Sequence, residues 1–523
     1  MPKRFNDTGL CIPERHYMAD TSAKLAAILE MVEDGAYFVI NRPRQYGKTT
    51  MIHHLFLALK NRRDYLAIQL SFEGIGDSVF EEEAVFCQNF VNNLAHRLRK
   101  THPAHTTFLH KASKTTTSLN DLSRTIEDFV EYTGKNVVLM IDEIDKASNN
   151  QLFLSFLGML RDKYLDARKE LDTTFQSVIL AGVHDIKSLK LKISLESKGK
   201  LNSPWNIAVD FRVDMSFNPQ EIEYMLTSYV RDRGVVMDTG LTAEKIYYYT
   251  SGYPYLVSKL CKFVDEDVLP QKQDNRWELS DLEAAFKLLT YGGYTNTLFD
   301  SLIKHLENDP ELYQMIFDIS INGAFFNFNV HAPLVNKALK YGMIRDDHGR
   351  CMIHNRVIEQ KLYGYFLAKQ ETENGTNPIM LKQPYYTNDG LHLPEILRRF
   401  QQFMQENYSH KDVKFLEREG RLLFLSFLKP IINGKGFDFK EPNISEERRM
   451  DIVISFGIHR YVVELKHWEG EAYHQKGLGQ LSAYLDTYSL KEGFLLIFDF
   501  RKSKEYKQAD IQYEDKEIFA VWV

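Results

Sequence analysis

An octapeptide, Arg42-Pro43-Arg44-Gln45-Tyr46-Gly47-Lys48-Thr49, follows an apolar run at 36–41. The run reads as a buried strand, and a helical pattern begins near Lys48. A strand that delivers Gly-Lys-Thr onto a helix N-terminus brings backbone N–H groups, a lysine and a hydroxyl to one point. The helix end adds its own attraction for anions. Such a turn belongs in strand–helix alternation, and the neighbouring sequence supplies it. Thr21 or Ser22 can cap a helix through Met31, and further strands are expected at 65–71, 136–141 and 176–181. Helical patterns lie between them, which predicts a parallel, doubly wound α/β sheet.

Phosphate binding needs a lysine for the β- and γ-phosphates and a hydroxyl for Mg²⁺. Gly47, Lys48 and Thr49 supply the second half of the GxxxxGK[ST] pattern, but Arg42 stands where its first glycine would be. A second motif is Val137-Val138-Leu139-Met140-Ile141-Asp142-Glu143. It reads as a buried strand ending in two carboxylates, Asp142 to hold Mg²⁺ through water and Glu143 to polarise an attacking water. A strand followed by a solvated acidic turn, with Asp145 continuing it, would look alike. Both motifs in this order point to ATP.

From Asn218-Pro219, an N-cap and N1 pair, helical signals dominate to about Leu289. Residues 296–369 end in two short β-like runs around an Asp347-His348-Gly349 turn, flanked by helices, which suggests a winged-helix-like unit. Residues 370–390 are polar, contain Gly and Pro and lack a helical period, so they read as a linker. The expected division is therefore 1–217, 218–369, linker 370–390, and 391–523. Within the last part a helix is expected from about Gly477 to Tyr488.

In that last part, Asp451 opens one apolar run, and Glu464 and Lys466 interrupt the next. Two apart on a strand, Glu464 and Lys466 share a face. Asp451 and Glu464 could bind a divalent metal at a phosphodiester, with Lys466 stabilising the developing charge. A Glu–Lys ion pair on a solvated sheet edge is the plain alternative. Arg448 and Arg449 suit either a phosphate grip or an exposed basic turn.

Composition narrows the rest. The hydrophobic and charged fractions, 44% and 26%, are those of an ordinary globular chain. No apolar run approaches the 18 residues or so that span a bilayer, and no secretory signal opens the sequence. The four cysteines, Cys11, Cys87, Cys261 and Cys351, are far apart, which fits a reducing cytoplasm and opposes a cysteine zinc site. His53-His54, His467 and His474 do not form a competing one. A net charge of −6 predicts that any nucleic-acid binding is local or conditional.

The octapeptide resembles bacterial and archaeal AAA-like ATPases of the signal-transduction (STAND-like) branch, whose phosphate loops often read RPRxxGKT. In that light Arg42 is typical rather than inactivating. Gly252-x-Pro254 resembles the GxP element that packs near adenine from the lid of such ATPases. The AGVHDIKSLK segment resembles their sensor strand and loop, so His184 or Asp185 is a candidate for the γ-phosphate side, though each equally suits a cap or the surface. Arg212 is a candidate finger.

The Asp451…Glu464-x-Lys466 pattern, D-x₁₂-E-x-K, resembles the PD-(D/E)XK nucleases over roughly 391–523. Met450 replaces the first residue of that signature. The resemblance adds Glu417 or Glu419 as an upstream acid, and Gln480 and Tyr484 as a QxxxY pair on one helix face. It implies a P-loop sheet ATPase with helical lid, a winged-helix-like unit and a restriction-endonuclease-like α/β domain. The expected protein is a cytoplasmic homo-oligomer without a membrane partner. It would use ATP and Mg²⁺ to control cleavage of nucleic acid, most readily DNA, with Mn²⁺ an alternative nuclease metal. Such fusions suggest a role in defence against phage or mobile elements. The main rival is a nucleotide-dependent switch whose C-terminal domain binds nucleic acid or protein without cutting. An ATP-driven DNA motor ranks last, because no helicase motif series is present.

Overall fold

The computed structural model describes residues 3–147, 150–183, 205, 207–291, 296–320, 324, 326–373, 385, 390–407, 423–425, 427–428, 436–440, 452–456, 459–501 and 505–523. The chain forms two compact units. One comprises Met1–Asn308, Asn329–Arg345 and His354–Ile358, the other Asp309–Phe328, Asp346–Ile353 and Glu359–Val523.

In the first unit, β1 (Phe38–Asn41), β2 (Tyr65–Ser71), β3 (Asn136–Asp142) and β4 (Ser177–Gly182) form a parallel sheet ordered β1-β4-β3-β2. Val209 adds a single parallel bridge to Phe38 beyond β1. Every residue of β3 after Asn136 is buried, as a parallel strand covered on both faces must be. Helices α1 (Ser22–Glu33), α2 (Lys48–Lys60), α3 (Glu83–Leu98), α4 (Pro103–Ser113), α5 (Leu119–Thr133) and α6 (Gln151–Ala167) complete the alternation. Phe86, Phe90, Phe153 and Phe156 pack with β2, β3 and β4 in one apolar core.

Asn218 caps α7 (Pro219–Arg233) through a reciprocal box with Glu221, fixing where helical structure resumes. Helices α8 (Thr239–Thr250), α9 (Pro254–Phe263), α10 (Leu279–Tyr291) and α11 (Thr297–Glu307) follow. Later come α12 (Pro310–Ser320), α13 (Pro333–Lys340), β5 (Ile344–Asp347), β6 (Arg350–Ile353) and α14 (Arg356–Glu373). The two short runs around the 347–349 turn are thus strands flanked by helices. One boundary needs correction. Helix α14 continues to Glu373, so the first residues of the expected 370–390 linker are helical. Gln, Glu and Lys are good helix formers, and nothing in that stretch stops the helix.

The second unit carries a mixed six-stranded sheet ordered β11-β12-β10-β9-β8-β7, built from β7 (Gly436–Lys440), β8 (Ile452–Phe456), β9 (His459–His467), β10 (Glu492–Phe498), β11 (Gln508–Tyr513) and β12 (Lys516–Trp522). Strand β10 is parallel to β9 and β12, while β7, β8 and β9 form an antiparallel run. Helix α15 (Leu393–Asn407) packs on one face, where Phe400 lies edge-on to Phe498 of β10; helix α16 (Glu471–Thr487) packs on the other, where Leu481 shares an apolar core with Val462 and Leu495. Helix α16 begins six residues before Gly477, the expected start. A Cβ on Gly477 would lie 3.5 Å from Lys466, and one on Gly479 3.2 Å from the Tyr513 hydroxyl. These glycines therefore suit close packing inside a helix that runs through them.

Candidate active sites

Strands β1 and β3 flank β4 and deliver both nucleotide motifs to the same end of the sheet. Gly47 caps α2 in the left-handed region at φ +80°, which favours glycine. Lys48 opens the helix and is buried; its Nζ donates to the carbonyls of Arg42 and Pro43 at 3.0 and 2.9 Å. Burial pulls its pKa down, against the opposing pull of Asp145, Glu143 and Asp142. The Thr49 hydroxyl donates to Asp142 Oδ2 at 2.7 Å. Asp142 ends β3 and is only 4% exposed. Glu143 follows with φ +56°, and its N–H donates to Asp142 Oδ1. Burial first, and then the Asp142 charge, raise the Glu143 pKa.

Arg42 fills the missing-glycine position as a strut. It donates to the Val213 carbonyl at 2.8 Å and lies over the Phe211 ring. Arg212 is exposed on that same segment. His184 and Asp185 lie outside the described residues.

The start of α9 and the two residues ahead of it meet the loop directly. Gly252 sits at φ +71° with its carbonyl accepting from Phe217 N–H at 2.8 Å; a Cβ there would lie 1.9 Å from the Phe217 oxygen. The Tyr253 hydroxyl donates to the Arg44 carbonyl, and its ring stands edge-on to Tyr46. Pro254 opens α9 and lies 4.0 Å from where a Gly47 Cβ would be. The Tyr46 hydroxyl reaches Ser216 Oγ at 2.7 Å and His354 Nε2 at 3.2 Å, and Gln45 donates to Thr297 Oγ1 at 3.0 Å.

Sequence reasoning missed the cavity beside this loop. Asn6, Tyr17, Thr50, His54, Met225 and Ser258 are among its lining residues. Asp7 pairs with Lys259 and Lys262 at 2.7 and 2.8 Å, and Ser258 donates to the Asn6 carbonyl. The Cys11 N–H donates to Thr50 Oγ1 at 3.2 Å. His54 Nε2 and Gln45 Oε1 are buried without a hydrogen-bond partner among the described residues, an arrangement that suits a polar ligand. The N-terminal segment has no periodicity, and its partners lie far along the chain, so no local signal marked it.

In the second unit, Glu464 lies in β9 beside Leu495 of β10 and is fully buried. Lys466 Nζ lies 2.8 Å from Glu464 Oε1 and donates to Gln480 Oε1 at 2.6 Å. Tyr484, one turn beyond Gln480, is fully buried. The same-face expectation for Glu464 and Lys466 is met, and Gln480 joins them. Asp451, Glu417 and Glu419 lie outside the described residues; the chain neighbour of Asp451, Ile452, pairs with Val463, next to Glu464. Among the described residues no three His, Cys, Asp or Glu side chains gather as a metal site, and no helix is long and apolar enough to cross a membrane.

Residues 11–369 match the model of a family described as AAA-like domain. Among solved structures, the Walker-type ATPase PABY2304 of Pyrococcus abyssi aligns with 13% identity and a TM-score of 0.46, covering 68% of this chain and 99% of that one. The ORC2 protein of Aeropyrum pernix, solved in ADPNP–ADP complexes, aligns with 11% identity and a TM-score of 0.38, covering 67% and 94%. The RuvB Holliday junction branch migration motor of Thermotoga maritima aligns with 14% identity and a TM-score of 0.33, covering 64% and 92%. No curated protein matches the sequence.

Proposed function

The chain belongs to the AAA-like domain family over residues 11–369, and on that premise we propose a Mg·ATP-dependent regulatory ATPase governing a metal-dependent nuclease in its own C-terminal domain. The observation that carries the ATPase reading is the Thr49–Asp142 hydrogen bond of 2.7 Å beside buried Lys48. Lys48 meets the β- and γ-phosphates, Thr49 and Asp142 hold Mg²⁺, and Glu143 orients the attacking water. Magnesium, when bound, neutralises phosphate charge. Pro254 and the N-terminal cavity receive the base side of the nucleotide.

The nuclease reading rests on Lys466, held between Glu464 and Gln480 on one sheet face. Glu464 and Asp451 are the metal ligands of this reading, with Mg²⁺ or Mn²⁺ polarising the phosphodiester. Lys466 stabilises charge developing on the phosphate and Gln480 meets the substrate strand, while Tyr484, fully buried, packs in the core instead of reaching substrate. Glu417 or Glu419 supplies a further acid. DNA is the proposed substrate, self-association the proposed assembly, and defence against mobile DNA the proposed setting.

The test is cleavage of plasmid, single-stranded DNA and RNA with Mg²⁺ or Mn²⁺, with and without ATP. Metal-dependent cutting that follows nucleotide state is expected. DNA binding without cutting under every condition would favour a switch that binds and does not cleave. ATP turnover absent from the purified protein would remove the regulatory half.

A further inference from the structure

The outer edge of β2 forms the floor of a groove. Among the described residues β2 pairs only with β3, on its inner side. Its whole length, Tyr65–Ser71, lines a cleft of about 660 Å³. Thr49, His53, Phe56 and Lys60 line it from α2, spaced as one stripe of that helix; Arg97 and Leu98, at the end of α3, line it too. The strand is sunk between helices: Tyr65, Leu66, Ala67, Ile68 and Leu70 are all buried despite forming an edge.

The groove is also polarised. Lys60, Arg63, Arg97 and Lys135 line it, with Lys60 and Arg63 just ahead of Tyr65 and Lys135 just ahead of Asn136, the β3 partner of Tyr65. None of the four makes an ion pair among the described residues. Its other end carries Glu73, Asp142 and Glu143, beside Ser71.

We propose that this groove binds an extended acidic peptide segment, which adds to β2 as a further strand. An open strand edge presents alternating N–H and C=O groups, and a peptide backbone satisfies both. A nucleic-acid backbone offers acceptors to the N–H groups but leaves the carbonyls unanswered. A second copy pairing β2 to β2 would have to insert its own sunken edge, and its helical walls would collide first. A single extended chain fits, since strands lie about 4.8 Å apart and seven residues span about 23 Å. The four cations attract its acidic side chains most strongly at the start of β2.

The probe is a fluorescein-labelled heptapeptide of alternating glutamate and valine, titrated by anisotropy against the full chain at low salt. Saturable binding is expected. A peptide N-methylated at alternate amides, on the edge that faces β2, should bind at least tenfold more weakly. The Arg63→Glu, Lys135→Glu double variant should lose a similar factor and gain affinity for an alternating lysine–valine heptapeptide. The N-methylated probe tests the wild-type chain, so that arm holds even if the variant misfolds. No saturable binding of the acidic peptide, or equal binding of its N-methylated form, overturns the proposal. So does poly-dT binding that the double variant abolishes while the peptide fails to bind.

Discussion

The Tyr46 hydroxyl lies 3.2 Å from Nε2 of His354, joining the phosphate loop to a residue 308 positions further along. His354 is buried, and that burial, with Arg345 second, lowers its pKa to about 4. Burial pushes the Tyr46 hydroxyl up to about 12, so both partners are neutral near pH 7. Below about pH 6.5 the unfolded chain takes up a proton that folded His354 refuses until about pH 4. The stability this neutral histidine preserves is complete above pH 6.5 and falls by roughly 3 kcal/mol as pH drops through that window. Melting temperatures of wild type and His354→Gln between pH 7 and 4.5 check this. The variant should show the shallower pH dependence, and parallel curves would refute it.

Lys48→Ala should abolish nucleotide binding, measured with a fluorescent ATP analogue, because the lysine is the cation placed at the start of α2. Glu143→Gln should keep binding and lose phosphate release. The raised Glu143 pKa predicts a turnover decline that starts above the ordinary carboxylate range as pH falls. Unchanged affinity in Lys48→Ala would move the nucleotide elsewhere.

Gly252→Ala should lower both the melting temperature and nucleotide affinity. The left-handed backbone alone costs an alanine about 1–2 kcal/mol, and the contact with the Phe217 oxygen forces the corner apart as well. Gly349→Ala is the comparison, since Gly349 has φ +83° with nothing within 4 Å. Equal losses in the two proteins would mean that the corner relaxes freely.

Asp451→Ala, Glu464→Ala and Lys466→Ala should each eliminate metal-dependent DNA cleavage with ATP turnover nearly intact. Gln480→Ala should give a partial loss, because Glu464 still holds Lys466. Cleavage that survives EDTA, or survives in Glu464→Ala, would falsify the metal-site assignment.

Coupling is tested by cleavage and sedimentation in four states: apo, ADP, ATP, and Glu143→Gln with ATP. Nucleotide can shift a conformation only by binding its two forms unequally. A change in rate or particle size is expected between at least two states, since Gln45 and Tyr46 each hydrogen-bond outside the loop, to Thr297 and His354. Four identical profiles would leave the domains independent.

Local pattern carried the sheet of the first unit well. Strand β2 runs over the predicted residues, because its apolar run ends at turn-forming neighbours on both sides. The end of β3 was legible for the same reason, with two carboxylates closing five apolar residues. The C-terminal pair was legible because charge at Glu464 and Lys466 is costly within a buried strand unless it is partnered. The N-terminal wall of the cavity was not legible, because Asp7 acquires meaning only from Lys259 and Lys262. Nor did local pattern single out β11, whose alternation over QADIQY leaves each second residue only half-buried.

The clasp of Asp7 on α9 has a mechanical corollary. Asn6 and Asp7 are fastened to α9, while Cys11 is fastened to α2 through Thr50. The intervening residues, Thr8, Gly9 and Leu10, therefore form a tether between two bodies. Four peptide steps reach about 14 Å at full extension. While both fastenings hold, the anchored face of α9 cannot move farther than that from Thr50 of α2. Lengthening the tether, or breaking either anchor, would lift that limit.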